Sequence, residues 1–390
     1  MFKKSLKILL FCCCFSLLLY GCQSTPQTVK EKSRKYQNAE NVEQKEIEYV
    51  SVSHIFDDKE KILNGNYQNL DLKKTIHLEE MVDSVSVLTL QVQNSFGSKE
   101  KLVEMNLAFF GNAQYEDEIE YLEKTPATEW GAYTFHFEEN RDSAALYDNG
   151  FSWLSKKDSE STAERLKKIY HVDRGENLKD SYLLKNGKLS VEEAVNYVND
   201  WCDKNWKVLE PEYQFQVKTV YVCEKNDACF YYRFDVCKYY KGMPYDDIDF
   251  YVDEDHLYID NILDITMENK GELSFVRNNH LSYDIKKEEN YNDKLIGLEQ
   301  AVLLVQEKMT GGQKLAIDDI DIKYVVLSDV TEEKQKEGIH YDTPGATAMA
   351  HPTWSFIMDA SDDAENMINS WNRKFINVDM VTGDVMYFDK

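Results

Sequence analysis

Polar and apolar positions alternate along several short stretches of this chain, the mark of a strand with one covered face. Ser84–Gln93 reads SVSVLTLQVQ and Trp130–Phe137 reads WGAYTFHF, and both predict strands. Ala144–Leu154 predicts further strand structure, with Gly150 at the turn between two short strands. Ser161–Tyr170 has the spacing of a short helix. Together these stretches make a mixed N-terminal region, residues 46–170.

Beyond that region the period changes and a pattern recurs. Ser190–Val198 reads SVEEAVNYV and Gly297–Val305 reads GLEQAVLLV, an offset of 107 residues. Val191, Ala194, Val195 and Val198, and likewise Leu298, Ala301, Val302 and Val305, fall at i, i+3, i+4 and i+7. That spacing puts them on one face of a helix. Ser190 with Glu193 forms a capping box, and Gly297 with Gln300 a weaker version. Strands follow each helix: Tyr213–Cys223 corresponds to Asp319–Asp329, and Phe230–Tyr240 loosely to Thr353–Ala360. Ile265–Phe275 and Phe375–Phe388 then carry Gly271-Glu272 and Gly383-Asp384 at a turn, where glycine accepts positive φ without steric cost. A helix followed by antiparallel strands implies one helix over one sheet face, twice. The expected fold class is therefore α+β, antiparallel sheets each packed by a helix.

The N-terminus reads differently. Lys3, Lys4 and Lys7 precede a largely apolar run from Ile8 to Tyr20. So short a helix spans about 20 Å, against about 30 Å of bilayer hydrocarbon, which favours a secretory signal over a membrane span. Leu19-Tyr20-Gly21-Cys22 resembles the lipobox of bacterial lipoproteins, although Tyr20 is larger than the usual residue at its position. The resemblance implies a signal peptide at 1–21, cleavage before Cys22 and lipidation of Cys22. Residues 22–45 are polar and read as a lipid-anchored flexible tether. The expected location is the extracytoplasmic face of the cell membrane.

Cleavage would leave 369 of the 390 residues and, with Lys3, Lys4 and Lys7 gone, move the formal net charge from −25 to −28. Such acidity repels nucleic acid and anionic headgroups, and favours basic partners only non-specifically. A hydrophobic content of 43% fits a globular protein, and the length implies two or three domains.

Phe230–Phe250, with Tyr239-Tyr240-Lys-Gly-Met-Pro244, resembles the aromatic–Gly–Ile–Pro strand and turn of PepSY-like modules. His351-Pro-Thr-Trp354-Ser-Phe356 and Phe375–Val385, with Asp379 and Gly383-Asp384, are similar to the final strands of such modules. The YycI/YycH-type envelope regulators and clostridial lipoproteins of unknown function share this arrangement. The resemblance implies PepSY-like modules at 185–285 and 286–390, and a binding or regulatory role rather than catalysis. It does not reach 46–170.

Four cysteines follow Cys22: Cys202, Cys223, Cys229 and Cys237. Outside the cytoplasm an even number permits disulfides. Strand alternation on either side of the polar stretch Glu224–Ala228 puts Cys223 and Cys229 on one face, making them disulfide candidates across a hairpin. Cys202 lies on the apolar side of its helix, which disfavours a bridge to Cys237. No Cys-x-x-Cys occurs among the four, and His-Glu-x-x-His, Gly-x-Ser-x-Gly and the acidic calcium loop are absent from the chain. Gly311-Gly312-Gln-Lys314 follows a helix and reads as its C-cap rather than a phosphate loop. No cofactor and no metal is expected.

The acid pairs Asp246-Asp247, Asp253-Glu254-Asp255, Asp318-Asp319 and Asp362-Asp363 fit solvated turns, whereas a glycosidase needs two carboxyls facing one cleft. Tyr231, Tyr232, Tyr239, Tyr240, Tyr245, Tyr251 and Tyr258 could form core or line a ligand face. The sequence thus points to a non-enzymatic binding or regulatory module for an envelope protein or peptide, held to the membrane by its lipid and not binding nucleic acid. An extracytoplasmic cation or solute binder is the alternative, and a wall-active hydrolase a more distant one.

Overall fold

Strands set the architecture. The computed structural model describes residues 47–57, 59–72, 84–93, 96–111, 119–123, 131–137, 142–156, 165–226, 229–245, 257–258, 262–278, 281–308, 314–328, 343–358 and 374–388. The chain divides into two units, Met1–Ile47 and Glu48–Lys390. The expected signal peptide and tether, with Cys22, fall in the first unit, outside the described residues. Among the described residues no helix is long and apolar enough to cross a membrane.

The second unit contains two large sheets. In the ten-stranded sheet the order is Glu120–Leu122, Ala132–Phe137, Asp142–Tyr147, Ser152–Ser155, Phe275–Asn278, Ile262–Met267, Cys229–Tyr240, Gln214–Asn226 and Arg165–His171. Met243–Pro244 pairs additionally with Cys229–Tyr240. The seven-stranded sheet runs Leu257–Tyr258, Asp319–Ser328, Thr347–Met358, Lys374–Asp379 and Val385–Phe388. Ser86–Val92 joins it by pairing with both Thr347–Met358 and Tyr283–Asn290.

Among the described residues the α-helices are α1 (Lys59–Leu63), α2 (Lys99–Phe110), α3 (Val191–Trp201) and α4 (Leu298–Lys308). Helix α3 starts where the capping box places it. Ser190 Oγ accepts from the Glu193 amide at 3.2 Å, and Glu193 Oε2 accepts from the Ser190 amide at 3.0 Å. Val191, Ala194, Val195 and Val198 are buried as the spacing predicts, and α3 packs on Gln214–Asn226. On the inner face of that sheet, Val220, Val222, Tyr232, Phe234, Ile265 and Val276 are fully buried. Helix α4 buries Leu298, Ala301, Val302 and Val305 and packs on Lys374–Asp379 and Val385–Phe388.

The recurrence in the sequence is present as strand order. Gln214–Asn226, Cys229–Tyr240, Ile262–Met267 and Phe275–Asn278 are successive neighbours, as are Asp319–Ser328, Thr347–Met358, Lys374–Asp379 and Val385–Phe388. The expected α+β class, with two helix-packed PepSY-like modules, is nevertheless wrong: the protein is mostly β, built on large multi-stranded sheets. The first meander does not end on its own edges. Ser152–Ser155 continues from Phe275–Asn278, and Arg165–His171 flanks Gln214–Asn226. An uncovered edge exposes a row of unpaired N–H and C=O groups, and strands from the N-terminal region cover these ones. The expected helix at 161–170 is corrected by the same pairing. Arg165–His171 is a strand whose backbone bonds go to Gln214–Asn226, and 161–164 lie outside the described residues.

Ion pairs tie the two sheets. Arg174, just past Arg165–His171, pairs with Asp319, and Lys218 Nζ lies 3.5 Å from Asp321 Oδ2. The core of the second sheet centres on Trp354. Its indole Nε1 donates to Ile296 O at 2.7 Å, and its ring meets Phe56 edge-on at 5.5 Å.

Candidate functional site

Leu209-Glu210-Pro211-Glu212-Tyr213 leads into the strand Gln214–Asn226. Ser282 to Lys286 enters the strand Tyr283–Asn290, which belongs to the other sheet. Between these segments lies a cavity of about 350 Å³, with Glu210, Glu212 and Tyr213 on one side and Tyr283, Asp284 and Lys286 on the other.

A buried ion pair backs this cavity. Lys238 Nζ stands 2.6 Å from Glu210 Oε1, and the two side chains are 1% and 2% exposed. Strand parity explains why a lysine is there. Phe234 and Val236 face the core, and Lys238 follows them on the same side. Its ammonium lies 3.9 Å from the centre of the Tyr213 ring and 5.7 Å from that of Tyr245. The quadrupoles of these rings offset part of the desolvation of a buried cation. Burial lowers the Lys238 pKa, against the opposing pull of Glu210. Burial also raises the phenols of Tyr213 and Tyr245 above their ordinary value. Tyr213 and Tyr245 stack edge-on at 5.5 Å, and Tyr245 lies 5.4 Å from Tyr324 of the second sheet.

The groups toward the opening differ. Glu212 is exposed, and Asp284 Oδ2 accepts from Lys286 Nζ at 2.8 Å. Carboxylates beside aromatic walls are suited to an ammonium or guanidinium group.

Of the tyrosines singled out by the sequence, Tyr245 joins the cluster behind the cavity, and Tyr240 stacks with Tyr213 at 5.9 Å. Tyr232 is core, its hydroxyl donating to Leu189 O at 2.7 Å. Tyr231 and Tyr239 are buried, Tyr251 lies outside the described residues, and Tyr258 lies in the strand Leu257–Tyr258. Among the acid pairs, Asp319 is a buried partner of Arg174 rather than a solvated turn acid. Asp246-Asp247, Asp253-Glu254-Asp255 and Asp362-Asp363 lie outside the described residues. Sequence reasoning passed over Glu210 and Lys238. The available signal was a lysine at core parity within an aromatic strand.

His351 and Asp379 form a second polar feature, Nδ1 to Oδ2 at 2.7 Å. Burial raises the Asp379 carboxyl. Hydrogen bonds from His351 and from the Val381 and Thr382 amides outweigh it and hold the group below its ordinary value. Among the described residues no three His, Cys, Asp or Glu side chains converge as metal ligands.

The bridge expected between Cys223 and Cys229 is absent, and no disulfide occurs among the described residues. Parity was read correctly, since Cys223 packs with Tyr221 and Tyr231 in a cluster of its own. Register was not. The hairpin strands stay paired past Glu224, with Cys223 facing Tyr231 and, beyond an irregularity, Asn226 facing Cys229. The two cysteines are thus diagonal rather than directly opposed across the ladder. Cys229 is half-buried, whereas Cys202 is fully buried and burial pushes its thiol pKa up. Maleimide added to the folded protein is expected to label Cys229 well before Cys202, as read by peptide mass mapping. Equal labelling would contradict this placement.

No known protein family matches the chain, and no curated protein matches it. Among solved structures, the chain is similar to an uncharacterized protein from Eubacterium rectale ATCC 33656. The likeness has 13% identity and a TM-score of 0.49, and covers 88% of this chain and 100% of that one. These comparisons carry neither the lipoprotein nor the PepSY resemblance.

Proposed function

We propose that this protein is a membrane-anchored extracytoplasmic binding or regulatory module, lipidated at Cys22, that holds an envelope protein or peptide without turning it over. The cavity between Glu210–Tyr213 and Tyr283–Lys286 carries this reading. Its carboxylates and aromatic walls suit a basic segment, and the formal charge of −25 draws such a segment in. Two of its acids are already engaged, Glu210 by Lys238 and Asp284 by Lys286, which favours holding a ligand over transferring a proton. A small solute is the second reading, because the volume falls at the lower end of small-molecule sites.

The test is a photo-crosslinking residue placed at Lys286 in intact cells, with the exposed Lys188 as control position. A discrete adduct is expected from 286, absent from 188 and lost on Glu212→Lys. No adduct beyond the control, or one indifferent to Glu212→Lys, would argue against the cavity.

A further inference from the structure

One face of the second sheet carries a buried polar row. Ile322, Trp354, Phe356, Ile376 and Val378 fill one face of its central strands and are buried. On the other face Ser355 lies opposite Asp321 on one neighbouring strand and opposite Asn377 on the next. Ser355 and Asn377 are each 0% exposed. Among the described residues Ser355 Oγ, Asn377 Oδ1 and Asn377 Nδ2 have no hydrogen-bond partner. An amide and a hydroxyl enclosed together bring three donor hydrogens and two acceptor oxygens, and leaving them unsatisfied is costly.

We propose that Ser355 and Asn377 hold an internal water molecule as a fixed part of the fold. Water suits these atoms because it donates and accepts at once, and buried waters commonly make about three hydrogen bonds to such groups. Asp321, the other cross-strand neighbour of Ser355, pairs with Lys218 of the first sheet. The water therefore lengthens a polar row, Lys218, Asp321, Ser355, Asn377, that begins at the junction of the two sheets. The site is independent of the cavity and of the ligand proposed for it.

A high-resolution crystal structure of the chain tests this, together with thermal melting of Ser355→Ala. The expected result is an ordered water about 2.7–3.2 Å from Ser355 Oγ and from an Asn377 amide atom. Ser355→Ala, which removes one of the water's partners, should lower Tm by about 2 °C. A direct Ser355–Asn377 hydrogen bond with no water overturns the proposal. So does an unchanged or raised Tm, because deleting a dry, unsatisfied hydroxyl stabilises the fold.

Discussion

Lys238→Met is expected to lower the unfolding free energy by about 3–5 kcal/mol, the usual result of breaking a buried ion pair from one side. The variant leaves Glu210 charged, with a side chain 2% exposed, and removes the ammonium 2.6 Å away. It also strips the cation from the Tyr213 ring. Methionine fills similar space, so little of the loss comes from a void. The double variant Lys238→Met/Glu210→Met should regain most of the stability, because it removes both desolvated charges. Urea unfolding curves with unchanged slope report both values. A single variant within about 1 kcal/mol of the parent would mean that the pair behaves as if solvated.

Trp354→Ala should cost about 3–5 kcal/mol, as truncation of a large core aromatic does. Three contacts fail together. The ring is fully buried, its edge-on partner Phe56 loses a neighbour, and Ile296 O loses the indole donor at 2.7 Å. Phe56 and Ile296 come from different parts of the chain, so the loss should loosen the packing of residues 51–57 as well as the sheet. Trp354→Phe keeps most of the apolar area and should cost clearly less, with the orphaned carbonyl as its main penalty. Equal costs for the two variants would show that the hydrogen bond, rather than the packing, dominates.

What the sequence revealed was local. The apolar stripe and capping box located α3 because both act within a few residues, and the same spacing located α4. Alternation identified Ser84–Gln93 as strand, and Ser86–Val92 is one. Nothing local could say that its partners would be Tyr283–Asn290 and Thr347–Met358, some two hundred residues away. That blindness to distant pairing produced the wrong fold class, since the meanders were read without the strands that extend them. Register failed for a related reason. The strands pair in a register that sets Cys223 against Tyr231 rather than Cys229, and alternation fixes the face but not the offset. The site was partly visible in Tyr240 and Tyr245. Glu210 and Tyr283 meet only because the chain passes between sheets, a feature that no spacing encodes.

The central claim is that a basic peptide segment seats in the cavity and leaves it unchanged. Hydrogen exchange on the full mature chain, with and without the segment captured at position 286, tests it most directly. Slowed exchange at 209–213 and 283–286 is predicted, with the mass of the segment unaltered after release. Protection confined to other strands, or a segment recovered in pieces, would contradict it.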